Sequence, residues 1–472
     1  MSPAHTPAGI ARRLLWLLLV LSLAWALAAC GVAARQFERA ADAATHVGDF
    51  GRSGRLTPEE RLWARTAWRY VENNTDATTG LANGSDRRPV ATMWNVADQL
   101  AALVAARELG ILEAREFDLR MSRLLGTLAS MDLSGGALPN KAYNTATGKM
   151  VNFENRPADI GWSALDVGRL MTWLRIVGQR HPVFQEYVDK IVLRWNFCRA
   201  ISDCGALQGA SREKDGALRT YPEGRFGYEQ LAAAGYAAWG FDSSASAQLP
   251  PLEWFNVQGL PVPFDARDPR TTGVPAPVLT MPHVYLGMEF GWDPPGPVPS
   301  QQRLRAIAQR IFEVQKLRWE REQAFTARTD YQTSEAPYVV LDAVYAAGYP
   351  WNTVGIDNKE VPKQALVATR AAFGLWALWP GNYTDQLLAA VKHLHDPNRG
   401  WYEGRFEATG APHAHVTLAT NADVLRSLLF KVKGRLFEPD QPRGYFQRQT
   451  ASPFQRTDRC LPRERPACRA RD

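Results

Sequence analysis

Apolar residues recur at helical spacing along most of this 472-residue chain, whereas the alternating runs typical of strands are few. The first helix is predicted to begin at Thr57-Pro58-Glu59-Glu60, which combines an N-cap threonine, a proline at the first helical position and a glutamate at the third. Similar stretches follow near residues 94–110, 116–131, 160–178, 183–197, 226–240, 284–292, 301–320, 334–347, 363–379, 383–395 and 417–432. About twelve helices in one body predict an all-α fold of the (α/α)6 toroid type, with long loops lining a cleft.

The longest predicted loop spans residues 241–282 and contains eight prolines together with Trp254, Phe255 and Phe264. A loop of this length in a compact domain is usually a lid or a binding loop, so we expect it to line the cleft. Because no clear linker divides the body, we predict a single domain over residues 56–435. A two-domain all-helical protein is the alternative.

The N-terminus has the features of an export signal. Arg12 and Arg13 precede the apolar run Leu14–Ala29, and small residues follow it at Ala28-Ala29-Cys30. The ending resembles the lipobox of bacterial lipoproteins, which implies a signal peptide over residues 1–29, a diacylated Cys30 and a tether over residues 30–55. An ordinary signal peptide or an uncleaved anchor is the alternative. We therefore expect a lipid-anchored, periplasm-facing protein of the bacterial cell envelope.

The formal net charge of +7 is confined to the two ends of the chain. The first 29 residues carry two arginines, and the tail from Arg443 carries eight arginines against three acids, so that the body between is neutral. A neutral body argues against a nucleic-acid partner, because phosphate binding requires clustered Lys and Arg. Residues 436–472 are interpreted as a basic tail.

Four cysteines remain once Cys30 is set aside, and an even number in an exported chain predicts two disulfides. Their spacing favours the pairs Cys198–Cys204 and Cys460–Cys468, although sequence alone does not fix the connectivity. A zinc site is the competing interpretation. It is disfavoured because no CxxC is present and no histidine lies at ligand spacing beside either pair.

Two aspartates accompany one predicted helix start. Asp159 lies in Ala158-Asp159-Ile160-Gly161, where unpaired backbone N–H groups would stabilise a carboxylate. Asp166 follows near the apolar face of the same helix. Both are candidate catalytic carboxylates. The alternatives are a helix N-cap role for Asp159 and a buried ion pair with Arg169 for Asp166.

Glu223 is the third candidate acid. It lies between Pro222 and Gly224, just before a predicted helix, with Phe226 and Tyr228 close in sequence. An apolar, aromatic setting raises the pKa of a carboxyl group by desolvation, which suits a general acid. An ordinary helix-start acid is the alternative.

Segments toward the C-terminus combine aromatic rings with acids and amides. Glu335 is predicted at a helix start, Tyr349–Thr353 as a loop, and Arg399-Gly400-Trp401-Tyr402-Glu403-Gly404 as a turn. Aromatic rings can stack on the apolar face of a pyranose while polar groups bind its hydroxyls, so the pattern favours a sugar-binding cleft. The rings expected to line its subsites are Trp94, Tyr143, Trp162, Tyr228, Trp351 and Trp401.

Other chemistries lack their motifs. There is no GxSxG nucleophile elbow and no HExxH pair, and Gly224-Arg225-Phe226-Gly227 lacks the spacing of a phosphate loop. The pairs His393/His395 and His413/His415 are minor candidates for a metal. We predict neither a metal nor a cofactor.

Five segments resemble a known bacterial family, labelled domain of unknown function 3131, over roughly residues 57–432. They are Met93-Trp94-Asn95 to Gly110, Tyr143-Asn144-Thr145-Ala146-Thr147-Gly148, Asp159 to Leu170, Glu223-Gly224-Arg225-Phe226-Gly227-Tyr228 and Arg399-Gly400-Trp401-Tyr402-Glu403-Gly404. More distantly, the order of these blocks is similar to the glucoamylase-like domains of β-1,2-glucanases and cyclic β-glucan synthases. That resemblance implies a six-hairpin toroid with an acidic cleft that acts on glucans, usually by inversion.

This chain departs from the distant group at one position. In that group a Tyr-Asp-Thr-x-Thr-Gly-like segment precedes an Asp-x-Gly helix start. Here Asn144 replaces the aspartate, whereas Asp159-Ile160-Gly161 is kept. The departure bears on glucan specificity more than on the fold.

These observations predict a lipid-anchored glycoside hydrolase that acts on an envelope polysaccharide or exopolysaccharide. Glu223 is the expected general acid, with Asp159, or as second choice Asp166, activating water; Glu335 and Glu403 are the alternates. A non-catalytic glycan-binding lipoprotein that assists polysaccharide assembly or export is the main rival, and it would need no facing pair of acids. A structural envelope protein without a ligand would instead bury its tryptophans.

Replacing Cys30 by serine tests the export prediction. The variant Cys30→Ser removes the sulfur that the lipobox presents for acylation, so it should lose lipid labelling and be released or misprocessed. Metabolic labelling with a fatty acid and membrane fractionation measure this. Labelling equal to that of the unsubstituted protein would contradict the prediction.

Overall fold

The computed structural model describes residues 50–438, except residues 203, 269–275 and 297 and the side chain of Cys198. Helices are the main elements of this part of the chain, and short strands fill many of the connections. The helices are α1 Pro58–Asn74, α2 Met93–Glu108, α3 Ala114–Ser130, α4 Ala164–Arg180, α5 Gln185–Leu193, α6 Tyr228–Ala237, α7 Ser244–Ala247, α8 Met281–Phe290, α9 Gln301–Glu322, α10 Thr369–Leu378, α11 Asn382–Val391 and α12 Leu418–Lys433.

The even-numbered helices pack on one another in chain order. Helix α2 packs on α4, α4 on α6, α6 on α8, α8 on α10 and α10 on α12, and α12 packs back on α2. Among the odd-numbered helices, α1 packs on α12 and α2, α3 on α2, α5 on α4, α7 on α6, α9 on α8 and α11 on α10. Every residue of α8 and α10 is buried, as expected for helices that are apolar on all sides. The even-numbered helices therefore form an inner ring.

The strands are short and pair only in antiparallel fashion among the named elements. They form three-stranded sheets β1-β4-β5 and β10-β11-β14, a sheet in which β17 pairs with β15, β16 and β18, and the hairpins β2-β3, β6-β7, β8-β9 and β12-β13. Their bounds are β1 Val90–Thr92, β2 Leu133–Ser134, β3 Leu138–Pro139, β4 Ala142–Asn144, β5 Met150–Val151, β6 Gln208–Arg212, β7 Leu218–Pro222, β8 Leu252–Val257, β9 Leu260–Asp265, β10 Asp330–Gln332, β11 Val339–Asp342, β12 Tyr345–Ala346, β13 Tyr349–Pro350, β14 Thr353–Gly355, β15 Leu366–Ala368, β16 His395–Asp396, β17 Gly400–Phe406 and β18 Pro412–Val416.

Helix α1 begins as its sequence predicts. Thr57 Oγ1 accepts a hydrogen bond from the Glu60 backbone N–H (3.2 Å), and the Glu60 carboxylate accepts one from the Thr57 N–H (2.8 Å). This reciprocal capping box satisfies two backbone donors at the helix end. Eleven of the predicted helical stretches contain a helix of the structure.

The all-α class is wrong in one respect, because strands occupy several segments predicted as helix or loop. Residues 334–347, predicted as a helix, form a turn followed by β11 and β12, and residues 366–368 form β15 instead of opening a helix. The strand Val339–Asp342 begins with the apolar run Val339-Val340-Leu341 and pairs on both edges, with β10 and with β14. Pairing with distant strands therefore overrides the helical periodicity there.

The proline-rich stretch is also more ordered than a loop. It contains helix α7 and the six-residue hairpin strands β8 and β9. Phe255 and Phe264 pack on Tyr345, with ring centroids 4.8 and 4.6 Å apart, and Trp254 is exposed. Among the described residues of this stretch, none lines the cleft found below, so the expected cleft-lining role is not what the hairpin does.

Charged side chains occupy the centre of the inner ring. Arg169 of α4 makes a bidentate ion pair with Glu289 of α8, and one of the two contacts measures 2.6 Å. Arg426 of α12 binds both Asp98 of α2 (2.9 Å) and Asp423 of its own helix. All five side chains are fully buried. Since a buried charge is costly unless it is paired, these contacts fix how the four helices face one another.

The two ends of the described body lie at the same pole of the ring. Phe50 packs on Trp292, just after α8, with ring centroids 4.7 Å apart, and its ring also contacts Phe430 near the end of α12. At the other end of the chain, the backbone N–H groups of Leu436 and Phe437 donate to carbonyls in the last turn of α8 (3.1 and 2.9 Å). Residues 50–55, predicted as tether, and residues 436–438, predicted as tail, therefore belong to the packed body.

Several predictions fall outside the described residues. They are the signal segment, Cys30, the tether up to residue 49, and Cys460 and Cys468 in the tail. Cys204 is disulfide-bonded, and its predicted pairing with Cys198 stays a prediction. Within residues 50–438, apart from the gaps named above, no helix is both long and apolar enough to span a bilayer.

Helices α4 and α6 cross so closely that glycines are required on both sides. A Cβ atom added at Gly235 would lie 1.9 Å from the carbonyl oxygen of Gly168, and one added at Gly168 would lie 2.5 Å from the carbonyl oxygen of Ala232. Both obstacles are backbone atoms, so no side chain can rotate to make room.

Gly235→Ala should therefore lower the free energy of unfolding by about 2 kcal/mol or more, since overpacking typically costs 1–3 kcal/mol. Gly126→Ala is the matched control, because Gly126 lies on helix α3 with nothing within 4 Å of an added Cβ. That variant should gain about 0.5–1 kcal/mol from helix propensity. Urea denaturation measures both. Equal stability of the two variants would contradict the close crossing.

Candidate active site

A cleft of about 220 Å³ opens where five inner helices begin. Residues from the first turns of α2, α4, α10 and α12, and Arg225 and Tyr228 at the start of α6, line it, together with residues of β10, β11 and β17. The lining residues are Thr92, Trp94, Asn95, Leu165, Asp166, Glu223, Arg225, Tyr228, Asp330, Tyr331, Gln332, Val339, Arg370, Glu403 and Ala419. Helix N-termini carry positive partial charge, which favours carboxylates in this position.

Glu223 and Asp166 form a pair joined by one hydroxyl group. Ser163 Oγ lies 2.8 Å from Glu223 Oε1 and 3.1 Å from Asp166 Oδ1, and the Ala164 backbone N–H donates to Glu223 Oε2 at 2.5 Å. Ser163 is the N-cap of α4, so a carboxylate from the segment before α6 lies at the N-terminus of α4. Because one hydroxyl is within hydrogen-bond distance of both groups, their nearest oxygens are less than about 6 Å apart, which is shorter than the separation of about 6.5–9.5 Å that is typical of inverting pairs.

Both carboxyls of the pair have a pKa above the ordinary value. Burial, followed by the repulsion of the Glu223 carboxylate, raises the pKa of Asp166 to about 7. Burial also raises the pKa of Glu223, although hydrogen bonds from Ser163 and Ala164 oppose the shift. Two carboxyl groups this close resist double ionisation, so one of them can deliver a proton where an isolated carboxyl would already be ionised.

Asp330, which sequence reasoning missed, is the ionised acid of the cleft. Its Oδ1 accepts hydrogen bonds from the Tyr228 hydroxyl (2.6 Å) and the Thr329 hydroxyl (3.0 Å) and pairs with Arg370 (2.8 Å). Burial would raise its pKa, but Arg370 and these hydrogen bonds outweigh burial and hold the pKa below its ordinary value. No described residue donates to Oδ2, which leaves that oxygen able to accept a hydrogen bond from water.

Glu403 lies deeper in the wall of the cleft, on β17. It is almost fully buried, and the hydroxyl of Thr417, the N-cap of α12, donates to it. Burial raises its pKa to about 7, although the Arg370 guanidinium opposes the shift. A buried carboxyl of this kind is neutral over much of the physiological range and is less accessible than the Glu223–Asp166 pair.

The structure places two of the six predicted aromatic residues in the cleft. Trp94 and Tyr228 meet edge to face, with centroids 5.2 Å apart, and Trp94 is partly exposed. The Arg169 guanidinium lies 5.5 Å from the Trp94 ring. Arg169 itself pairs with Glu289 and not with Asp166, so the alternative of an Asp166–Arg169 pair does not hold.

Asp159, the first-choice base, lies outside the cleft lining. Its carboxylate accepts from the Ser134 hydroxyl (2.6 Å) and the Gly161 N–H (3.1 Å) and pairs with Arg212. Burial would raise its pKa, but these bonds outweigh burial and lower it. Gly161 has φ +89°, and a Cβ atom added there would lie 2.1 Å from the Ala210 carbonyl oxygen, so the segment is a tight turn. The N-cap of the helix is Ser163. We assign Asp159 to the turn, which also corrects the N-cap alternative.

The remaining predicted residues are not brought to the cleft either. Glu335 is exposed in the turn before β11, and Trp351 borders a second cavity beside Arg318. Tyr143, Trp162 and Trp401 are fully buried, and each donates its hydroxyl or indole N–H to a backbone carbonyl. Asn144 caps its own turn by accepting from the Thr147 N–H (2.9 Å). Rings enclosed in the core cannot stack on a sugar.

Arg225, Asp330 and Arg370 are the charged cleft residues that the sequence did not reveal. Arg225 lies two residues after Glu223, in a segment that the sequence already indicates as a candidate site, so its position in the sequence could have revealed it. Asp330 and Arg370 lie on separate elements that only the folded chain unites, and Asp330 sits in no motif. Within the described part of the chain, no group of three or more His, Cys, Asp or Glu side chains is arranged to hold a metal ion.

The family described as "Protein of unknown function (DUF3131)" has a sequence model that matches residues 62–434. No curated protein matches the chain. Among solved structures, a glucoamylase-like protein of Bacteroides caccae is similar at TM-score 0.57 and 16% identity, covering 80% of this chain and 94% of its own.

Two endo-β-1,2-glucanases are similar to a comparable degree. The enzyme of Chitinophaga pinensis, solved with sophorotriose and glucose, gives TM-score 0.58 and 13% identity, with 81% of this chain and 94% of that chain covered. The enzyme of Talaromyces funiculosus, solved with sophorose, gives TM-score 0.53 and 11% identity, with 80% and 85% covered. At these identities the likeness establishes a shared glucoamylase-like fold.

The coupling between the paired acids can be measured directly. In Glu223→Gln the pKa of Asp166 should fall below about 7 while staying above the ordinary 3.8, because the repulsion is removed and the burial remains. Carbon NMR titration of labelled aspartate carboxyls gives the pKa. Asp159→Asn is the control, since it removes a carboxylate from outside the cleft and should leave the Asp166 titration unchanged. An unshifted Asp166 in Glu223→Gln would show that the two groups are not coupled.

Proposed function

We propose that this chain, which belongs to the DUF3131 family, is a glycoside hydrolase that cleaves a glucan-type polysaccharide of the bacterial envelope or an exopolysaccharide. The observation that carries the proposal is the cleft, in which a close carboxyl pair of raised pKa and a carboxylate of lowered pKa stand on different elements beside aromatic rings. The glucanases of similar fold, solved with glucan oligosaccharides, support a carbohydrate ligand.

We also propose that the architecture is the (α/α)6 toroid of six-hairpin glycosidases. The closed packing of α2, α4, α6, α8, α10 and α12, each paired with an odd-numbered helix on the side away from the ring, supports this. Short β-sheets form part of the connections between the helices. In this arrangement the inner helices run parallel, which brings their N-termini together at one pole and their C-termini at the other.

The Glu223–Asp166 pair supplies the proton to the leaving-group oxygen. Glu223 is the donor proposed from sequence, and Asp166 keeps the proton available because its pKa is about 7. Ser163 bridges the two carboxyls and can pass the proton from one to the other. The general acid is therefore a pair, in which the Glu223 carboxylate helps to hold the pKa of Asp166 upward.

Asp330 acts as the general base. The Glu223–Asp166 pair is too compact to hold an attacking water between its members, since inverting enzymes separate their carboxyls by about 6.5–9.5 Å. Asp330 is ionised. It lies on β10, whereas the acid pair lies at the starts of α4 and α6, and no described residue donates a hydrogen bond to its Oδ2. We propose that a water bound at Oδ2 attacks with inversion, and Glu403 is the alternative candidate for the base.

The sequence features outside the described residues complete the proposal. The lipobox-like ending at Cys30 supports a lipid-anchored protein that faces the periplasm.

A non-catalytic glycan-binding protein would not need a carboxyl pair of raised pKa beside an ionised acid, so the arrangement of the three acids favours the enzyme.

Turnover should depend on both members of the pair. Glu223→Gln and Asp166→Asn remove the transferable proton while keeping shape, so each should lower kcat on a cleaved glycan by about 10²–10⁴-fold. A panel of bacterial polysaccharides and neutral glucans, including β-1,2-glucan, with analysis of the reducing ends released, identifies the substrate and gives the rates. Asp330→Asn should be comparably damaging.

Matched controls are offered by the two predicted acids that lie outside the cleft. Asp159→Asn and Glu335→Gln should retain near-normal kcat. Proton NMR of the first anomer formed tests inversion. Full turnover by Glu223→Gln would refute its role, and no cleavage of any panel member by the unsubstituted protein would leave the non-catalytic rival as the better account.

A further inference from the structure

Arg225 is a charged residue of the cleft lining whose guanidinium is not held by a direct contact. It follows Glu223 by two residues, just before α6, and its side chain is partly exposed to the cleft. No hydrogen bond and no ion pair joins its guanidinium to any residue that the structure describes. A guanidinium carries five N–H donors, and leaving them all without a protein partner in a half-enclosed site is costly.

The acids nearest to it are already held by other groups. The oxygens of Glu223 accept from Ser163 and from the Ala164 N–H (2.8 and 2.5 Å), and Asp330 pairs with Arg370 at 2.8 Å. These contacts point the carboxylates toward helix starts and toward α10. They explain why a cation among several carboxyls forms no ion pair.

The other cations near the cleft are engaged. Lys141 donates to Ser211 (2.8 Å) and lies 5.4 Å from the Tyr221 ring. Arg370 lies between Asp330 and Asp423, at 2.8 and 3.8 Å. Arg225 is thus the cation of the described cleft that is left to bind a ligand.

Its position relative to the reacting groups is close. The positive charge of Arg225 lowers the pKa of Asp166, Glu223 and Asp330, so its field reaches both the proposed acid pair and the proposed base. Because Arg225 lines the same cleft as these three acids, an anionic group bound by Arg225 would lie within the proposed active site.

We propose that the substrate is an acidic glycan and that Arg225 binds the carboxylate of a uronic acid residue next to the scissile bond. A guanidinium presents two parallel N–H groups that match the two oxygens of a carboxylate. Trp94 and Tyr228, in the same cleft, offer the apolar surface that a pyranose ring needs. This inference rests on the proposed glycosidase function and changes its substrate class from a neutral glucan to a polysaccharide that carries uronic acid residues.

Binding measurements with defined polyuronates test the proposal. The probes are polygalacturonate, alginate and hyaluronate, each compared with its own carboxyl-reduced, neutral derivative at fixed ionic strength by calorimetry. All proteins carry Glu223→Gln so that no glycan is cleaved during the titration. At least one polyuronate should bind tenfold or more tightly than its reduced form, and adding Arg225→Gln should abolish the difference.

Two further variants separate a specific carboxylate site from general attraction. Arg225→Lys keeps the charge and loses the two-pronged geometry, so it should recover only part of the preference. Arg219→Gln is the matched control, because Arg219 is exposed on β7, outside the cleft, and pairs with Asp215 at 3.3 Å. It should keep the full preference. Full recovery by lysine would overturn the two-pronged contact.

The failure of this inference is distinguishable from failure of the enzyme proposal. If no polyuronate binds more tightly than its reduced form, or if Arg225→Gln keeps the preference, Arg225 is not a carboxylate site, whatever the protein cleaves. If the preference is found and depends on Arg225 but the unsubstituted protein releases no product, the binding site stands and the hydrolase assignment fails.

Discussion

The centre of the inner ring is ionic, and the rest of the structure depends on how those charges are paired. Arg169, Glu289, Arg426, Asp98 and Asp423 come from four of the six inner helices and are fully buried. Tyr285 adds a hydrogen bond to Asp423 at 2.7 Å. Removing one partner of a buried pair typically costs about 3–5 kcal/mol, so a helix cannot slide by one turn without a large penalty. We interpret the network as the device that sets the register of the ring.

The same network reaches the floor of the cleft. Arg370 lies between Asp423 below and Asp330 above, so the carboxylate proposed to activate water is held by a guanidinium that is itself fixed by the core. In the cleft, burial raises the pKa of a carboxyl group, whereas a helix N-terminus lowers it. A helix N-terminus stabilises a carboxylate by about 0.3–1 kcal/mol, less than one pKa unit. For Asp166, burial and the neighbouring carboxylate have the larger effect, and the pKa is raised. For Asp330, the ion pair with Arg370 contributes more than burial, and the pKa is lowered.

Sequence reasoning recovered the helices and the acids that lie at helix starts, because capping motifs and periodicity are local. Glu223, Asp166 and Trp94 belong to such segments and meet in the cleft. It failed where distant strands decide the structure, as at Val339–Asp342, and at Asp330, which acquires its role from Arg370 forty residues away. Sequence reasoning also predicted that Trp162 and Trp401 line a cleft, because periodicity does not distinguish an aromatic ring that is buried in the core from one that lines a binding site.

The points at which the chain enters and leaves the described body have a consequence for access to the cleft. Phe50 and Leu436 both pack where α8 ends, while the cleft opens where α2, α4, α6, α10 and α12 begin. Both points are therefore separated from the cleft by the length of the inner helices, and neither of them narrows the entrance that a long polymer would use.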